Sequence, residues 1–161
     1  MDIWEFAINM EHDGENYYRE QAEINKNNSL NTVCLMLAND EHYHAQLLTS
    51  RLNEVPYELN ETDSQVKAEK IFKDIKNFKI GGKDKPSQLD FYRFAKAKEE
   101  QSIRVYTDYL LKVSDAMEKE LLKFLIRQEK IHYEILEELA ALLRNAEEWV
   151  ESAEFGLRKE Y

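Results

Sequence analysis

Six residues in this chain combine type and spacing in a way that suits metal chemistry: Glu11, Glu41 and His44, then Glu99, Glu129 and His132. Every member of the second triplet lies 88 residues after its counterpart (11 to 99, 41 to 129, 44 to 132). Four carboxylates and two imidazoles delivered by four helices are the ligand set of a two-metal site in a helical bundle. The Glu-x-x-His spacing puts both side chains of a pair on one side of a helix, aimed at a common point. Ionised carboxylates gathered in a low-dielectric interior would repel one another and have strongly raised pKa values unless cations compensate. Carboxylate and imidazole ligands without thiolate favour iron or manganese, and zinc can occupy the same kind of site. Redox chemistry at a metal pair is therefore the leading expectation.

Residues near the six need weighing too. Tyr18 and Tyr106 lie seven positions, about two turns, after Glu11 and Glu99 and return to the same helix face, so they are candidates to hydrogen-bond ligand carboxylates. His12 and His42 are rotated about 100° from their ligand neighbours, which suits solvated or packing roles. Glu15, one turn from Glu11, is either an extra ligand or acid or an ordinary solvated Glu, and Ile103 holds its matching place in the repeat. Asp40 stands one turn before His44 and could orient that ring, with Gln128 as its repeat mate.

Four helices must carry these side chains. The first runs from about Ile3 to Ile24, and Asn27, Asn28 and Ser29 supply turn and N-cap chemistry before a second that reaches about Asn53, with Pro56 closing it. A third runs from about Ser87, with a Ser87/Asp90 capping arrangement, to Val113. Asp115 and Glu118 form a capping box for a fourth, about Ala116 to Leu143. Short turns make each pair an antiparallel hairpin, about 2–53 and 87–144. The crossover, 54–86, contains Gly81-Gly82 and an amphipathic helix over Val66 to Phe78, with Val66, Ile71, Ile75 and Phe78 on its apolar face. In the segment 145–161, Trp149, Val150, Ala153 and Leu157 suggest a short amphipathic helix that caps the bundle or meets a second subunit. The expected fold is all-α: a single domain, 1–161, forming a ferritin-like four-helix bundle of two hairpins with one long crossover and a short C-terminal helix.

The repeat extends past the ligands. Asp2-Ile3-Trp4-Glu5-Phe6-Ala7 aligns with Asp90-Phe91-Tyr92-Arg93-Phe94-Ala95 at the same offset, and Tyr18 aligns with Tyr106. Trp4, Tyr92, Phe6 and Phe94 read as core. Neither hairpin can bury its apolar face alone, so the two should close around an approximate two-fold axis with the ligands at the centre.

Composition narrows the class. Four Gly and two Pro in 161 residues leave little punctuation, and 43% hydrophobic residues suffice for one core. A net charge of −10 argues against nucleic acid. Neither a signal peptide nor a membrane span is evident, so a soluble cytoplasmic protein is expected. The lone Cys34 excludes a four-cysteine metal module within this chain and reads as a buried small hydrophobe.

Over nearly its whole length the sequence resembles the ferritin-like di-iron proteins, and among them rubrerythrin-like proteins lacking the rubredoxin domain. The resemblance rests on Glu11-His12-Asp13-Gly14-Glu15-Asn16-Tyr17-Tyr18, Glu41-x-x-His44, Glu99-Glu100-Gln101-Ser102-Ile103-Arg104-Val105-Tyr106, Glu129-x-x-His132 and the ending Glu148-Trp149-Val150-Glu151-Ser152-Ala153-Glu154-Phe155-Gly156. It implies two iron ions, with Glu41 and Glu129 bridging or chelating them, Glu11 and Glu99 terminal, and each His on one metal. Rubrerythrins that shift an iron on oxidation carry a further carboxylate where this chain has Ser102; its repeat mate is Gly14. These small residues put the iron shift in doubt and leave space for oxygen or peroxide. The resemblance implies an oxidoreductase that reduces hydrogen peroxide or oxygen with electrons from an external donor such as a rubredoxin-type protein. Ferroxidase chemistry in iron handling, or a non-catalytic metal-binding module, are the alternatives. A homodimer is the expected assembly.

Overall fold

The computed structural model describes residues 2–73 and 85–158, with side chains described for 2–73, 89–142 and 144. Helix α1 spans Ile3–Ile24, and the Asp2 side chain at its N-cap accepts from the Trp4 N–H at 3.4 Å. Its buried residues Trp4, Ala7, Glu11, Gly14, Tyr18 and Ala22 recur every three or four positions, so Glu11 and Gly14 sit within the inward stripe. The helix stops at Asn25, whose N–H and side-chain amide both donate to the Gln21 carbonyl. Asn28 then turns the chain by accepting from the Leu30 N–H at 2.9 Å.

Helix α2, Leu30–Leu52, is buried on a wider front than α1 because α1, α3 and α5 all pack on it. It ends through Glu54, which adopts a left-handed conformation (φ 56°), while the Val55 N–H returns to the Ser50 carbonyl. That is a Schellman-type stop, so the helix has ended before Pro56 is reached. The crossover runs back along α2. The Tyr43 hydroxyl donates to the Glu58 carbonyl, the Asn60 N–H donates to the Tyr43 oxygen, and Thr62 and Ser64 both donate to Asp40. Helix α3, Ser64–Lys73, follows. Its inward residues are Ser64, Ala68 and Phe72, whereas Val66, expected on the apolar face, is 54% exposed. Ile75, Phe78 and Gly81-Gly82 lie outside the described residues.

Helix α4 spans Lys85–Lys112 and α5 spans Ala116–Arg158. The start of α4 precedes the expected Ser87 because Pro86, with its fixed φ, is accommodated in a first helical turn; the side chain of Ser87 lies outside the described residues. The expected break near Leu143 is absent, and the backbone continues as helix to Arg158 rather than forming a separate terminal helix. Half of the Asp115 capping box forms: the Glu118 N–H donates to Asp115 Oδ2 at 3.0 Å, but the Glu118 carboxylate accepts from Arg51 on α2 instead of turning back.

Side-chain pairs fix the directions. Asn31 reaches Ala22, Arg19 reaches Asn39 and Glu15 reaches His42, so α1 and α2 are antiparallel. Tyr92 with Glu137 and Lys96 with Tyr133 show the same for α4 and α5. The described residues form an all-α bundle of two antiparallel hairpins, α1 with α2 and α4 with α5. Two apolar clusters fill it, one around Leu37, Phe72, Phe91 and Leu136, the other around Trp4, Leu48, Leu122 and Leu125. Cys34 is fully buried in the first, and burial pushes its thiol up to about 12. Of the four aromatics expected in the core, Trp4 is buried and Tyr92 partly so, but Phe6 and Phe94 are 41% and 52% exposed. Ala7 and Ala95 take the inward positions beside them, and Phe94 stacks obliquely on Tyr17 at 4.6 Å.

Candidate metal centre

Between the two apolar clusters lies a polar layer. Glu11 comes from α1, Glu41 and His44 from α2, Glu99 from α4, and Glu129 and His132 from α5; none is more than 4% exposed. Their ligand atoms form two groups, Glu11, Glu41, His44 and Glu129, and Glu41, Glu99, Glu129 and His132, each with atoms within 4.8 Å of one another. Glu41 and Glu129 belong to both. The Nδ1 atom of His44 lies 3.4 Å from Glu11 Oε2 and 3.1 Å from Glu129 Oε1. That of His132 lies 3.2 Å from Glu41 Oε1 and 3.3 Å from Glu99 Oε1. The two imidazoles stack with centroids 5.8 Å apart.

So many acceptors converge only if protons or cations lie among them. Burial pushes the Glu41 carboxyl well above the usual range, and the charges of Glu11, Glu129 and Glu99 push it further. Glu129 is raised for the same reasons, burial first and then Glu99 and Glu11. Burial also acts to raise Glu11, but His44, Glu41 and Tyr106 outweigh it and hold that carboxyl at about 2. For His44 burial acts downward, and the neighbouring Glu11 and Glu41 carboxylates overcome it, bringing the ring up to about 9. Glu11 Oε2, Glu99 Oε2 and Glu129 Oε2 are buried with no hydrogen bond. Carboxyl oxygens without a hydrogen bond, facing imidazole nitrogens, fit divalent cations in chemistry and in charge.

Four of the six ligands are held by a residue of the opposite hairpin. The Tyr18 hydroxyl on α1 donates to Glu99 Oε1 at 2.5 Å, and the Tyr106 hydroxyl on α4 donates to Glu11 Oε1. Burial and the adjacent carboxylates raise both phenols well above their ordinary pKa, so they remain donors. Behind the histidines, His132 Nε2 meets Asp40 Oδ2 at 2.9 Å and His44 Nε2 meets Gln128 Oε1 at 3.4 Å.

The rubrerythrin family model matches residues 2–140, a span that contains every one of these side chains. The chain belongs to the rubrerythrin family. Neither a search of curated proteins nor one of solved structures returns a match. The matched span ends within α5, beyond His132.

In this rubrerythrin-family bundle several neighbours take places that the sequence did not assign. Asp40 engages His132 of the other hairpin, not His44 one turn along its own helix, because the interior face of α2 points it across the interface. Glu15 turns outward to Arg19 at 2.7 Å and to His42 Nδ1 at 3.0 Å, and does not enter the ligand layer. His12 and His42 are both exposed. Gly14 does not open the expected space: a Cβ there would lie 3.0 Å from Glu41 Oε2, so the ligand itself occupies that volume. Ser102 donates to the Lys98 carbonyl of its own helix. The cavity beside these two residues, lined also by Met10, Tyr18 and Gln101, measures about 10 Å³, room for about one water.

Four contributors were missed: Gln128, Glu61, which accepts from the Gln128 amide, Thr62 and Ser64. Gln128 was legible as the repeat mate of Asp40. Thr62 and Ser64, which bond Asp40, sit in the polar crossover, where no periodicity marks a role.

Proposed function

We propose that the centre holds two iron ions and that the protein is an oxidoreductase that reduces hydrogen peroxide, with manganese or zinc able to occupy the same ligands. The observation that carries this reading is the pair of buried ligand groups sharing Glu41 and Glu129. Glu11 and His44 would complete one position, Glu99 and His132 the other. When bound, two ferrous ions supply one electron each and bind the oxidant. Peroxide reduction breaks one O–O bond, consumes two electrons and two protons, and releases two waters.

The chain's own residues have definable parts. Glu41 and Glu129 would contribute to both positions, while Tyr18 and Tyr106 anchor one oxygen each of Glu99 and Glu11. The apolar clusters flank the ligand layer on both sides, and the small cavity beside Gly14 and Ser102 borders Glu41 and Glu99. A rubredoxin-type protein is the proposed electron donor for re-reduction. A homodimer is the proposed assembly. No helix among the described residues is long and apolar enough to cross a membrane.

Stopped-flow mixing of the reduced, iron-loaded protein with peroxide tests the proposal. Oxidation faster than that of free ferrous ion is expected, and an equal rate would remove the peroxidase reading. Ferroxidase chemistry is the second reading, and it rests on the same pair of ligand groups. It requires iron turnover with oxygen beyond two ions per chain.

A further inference from the structure

The internal repeat matches the two halves of the centre almost residue for residue. Glu11 pairs with Glu99, Glu41 with Glu129, His44 with His132, and Tyr18 with Tyr106. Gly14 and Ser102 differ, but the Ser102 hydroxyl bonds its own helix and not a ligand. Chemically, the halves part company behind the histidines, where Asp40 backs His132 and Gln128 backs His44.

The crossover fixes what each backing group can do. The Gln128 side-chain amide donates to Glu61 Oε2 at 2.8 Å. A carboxylate only accepts, so this bond sets the amide orientation and turns Gln128 Oε1 toward His44. His44 Nε2 must then carry a proton, which it donates to Gln128 Oε1. Asp40 is likewise an acceptor, taking bonds from Ser64 and Thr62 as well as from His132 Nε2. Thr62 has one proton and stands 3.3 Å from Asp40 Oδ2 and 3.1 Å from Gln128 Oε1, so it serves one side at a time. Both imidazoles thus turn Nδ1 inward, but one is backed by an anion at short range and the other by a neutral carbonyl at longer range.

We propose that Asp40, Gln128 and the crossover residues Glu61, Thr62 and Ser64 make the two metal positions unequal, so that the position completed by His132 binds its ion more tightly and fills first. The inference rests on the two-metal reading. A carboxylate behind a histidine raises its basicity as a ligand and fixes its ring, and losing such a partner lowers metal affinity by about 10–100-fold. Asp40 and Gln128 are positioning residues, acting through the imidazoles.

The test is an anaerobic cobalt(II) titration of the metal-free full chain, followed by calorimetry and by the visible cobalt absorption. Two resolved equivalents are expected, the first about 10–100-fold tighter than the second. Asp40→Asn should weaken the first step until the two merge. The paired variant Gln128→Glu with Glu61→Gln keeps the amide–carboxylate contact but gives His44 an anionic partner, and it should tighten the second step. If Asp40→Asn does not fold by circular dichroism, the paired variant decides alone. A fall in both steps equally with Asp40→Asn, or no change in the second step of the paired variant, would overturn the inference. Two ions of equal affinity in the unmodified protein would overturn it while leaving the two-metal reading intact. Fewer than two ions per chain would overturn both.

Discussion

At Gly14 the needs of a helix and of the ligand layer conflict. Glycine in a helix interior costs about 1 kcal/mol relative to alanine, yet a Cβ there would press on Glu41 Oε2 at 3.0 Å. Glu41 is a flexible carboxylate and can give way by a few tenths of an ångström, but it is also a residue common to both ligand groups. Gly14→Ala should therefore separate two properties. The metal-free protein should gain stability of up to about 1 kcal/mol in urea unfolding, while its affinity for cobalt should fall several-fold in a titration. A gain in both would show that Glu41 has slack. The sequence marked Gly14 as a small residue beside the ligands, but the neighbour that excludes a side chain comes from α2 and belongs to the tertiary structure.

Among the helices, α5 shows how a local signal can be half used. Asp115 caps it through the Glu118 N–H at 3.0 Å, but Glu118 is drawn away to Arg51, whose guanidinium also lies over the Trp4 ring at 5.4 Å. One arginine thus ties the start of α5 to α2 and α1. Removing the cap with Asp115→Ala should cost about 1 kcal/mol in chemical denaturation. Glu129 lies 14 residues further on, about 20 Å along the axis, so metal stoichiometry by elemental analysis should not change. The bounds of α1 and α2 were legible because caps and turns act within a few residues. The continuation of α5 past Leu143 and the exposure of Phe6 and Phe94 were not, since periodicity gives an apolar stripe without saying which edge of it meets a neighbour.

For the whole molecule, the consequence is a charged stratum between two apolar clusters. Without cations, His44 binds its proton more tightly when folded than at its ordinary value of 6.5, holding it to about 9. That contribution is full below pH 6.5 and is lost as pH rises through 9. Glu41 and Glu129, also raised, act in the same direction. Glu11, held at about 2, acts oppositely, and its contribution fades only as pH falls below 4.5 toward 2. The metal-free protein should therefore melt at progressively lower temperature between pH 6.5 and 9. Metal binding requires the deprotonated ligands and strengthens with pH, so the gap between loaded and chelated protein should widen over the same range. Differential scanning calorimetry at several pH values checks this, and parallel curves would contradict it.

By itself the sequence determined the helices, the doubled hairpin and the six candidate ligands, because capping, periodicity and an 88-residue repeat are written in neighbouring or regularly spaced residues. It could not determine how the hairpins register against each other. That register alone makes Glu41 and Glu129 common to both ligand groups, sends Tyr18 to Glu99 and Asp40 to His132, and brings Thr62 and Ser64 behind the histidines. The six residues name a chemistry, and packing across the interface decides which of them are equivalent. Contacts between residues more than 80 positions apart, such as Tyr18 with Glu99 and Asp40 with His132, depend on how two apolar faces interlock, and no local pattern encodes that.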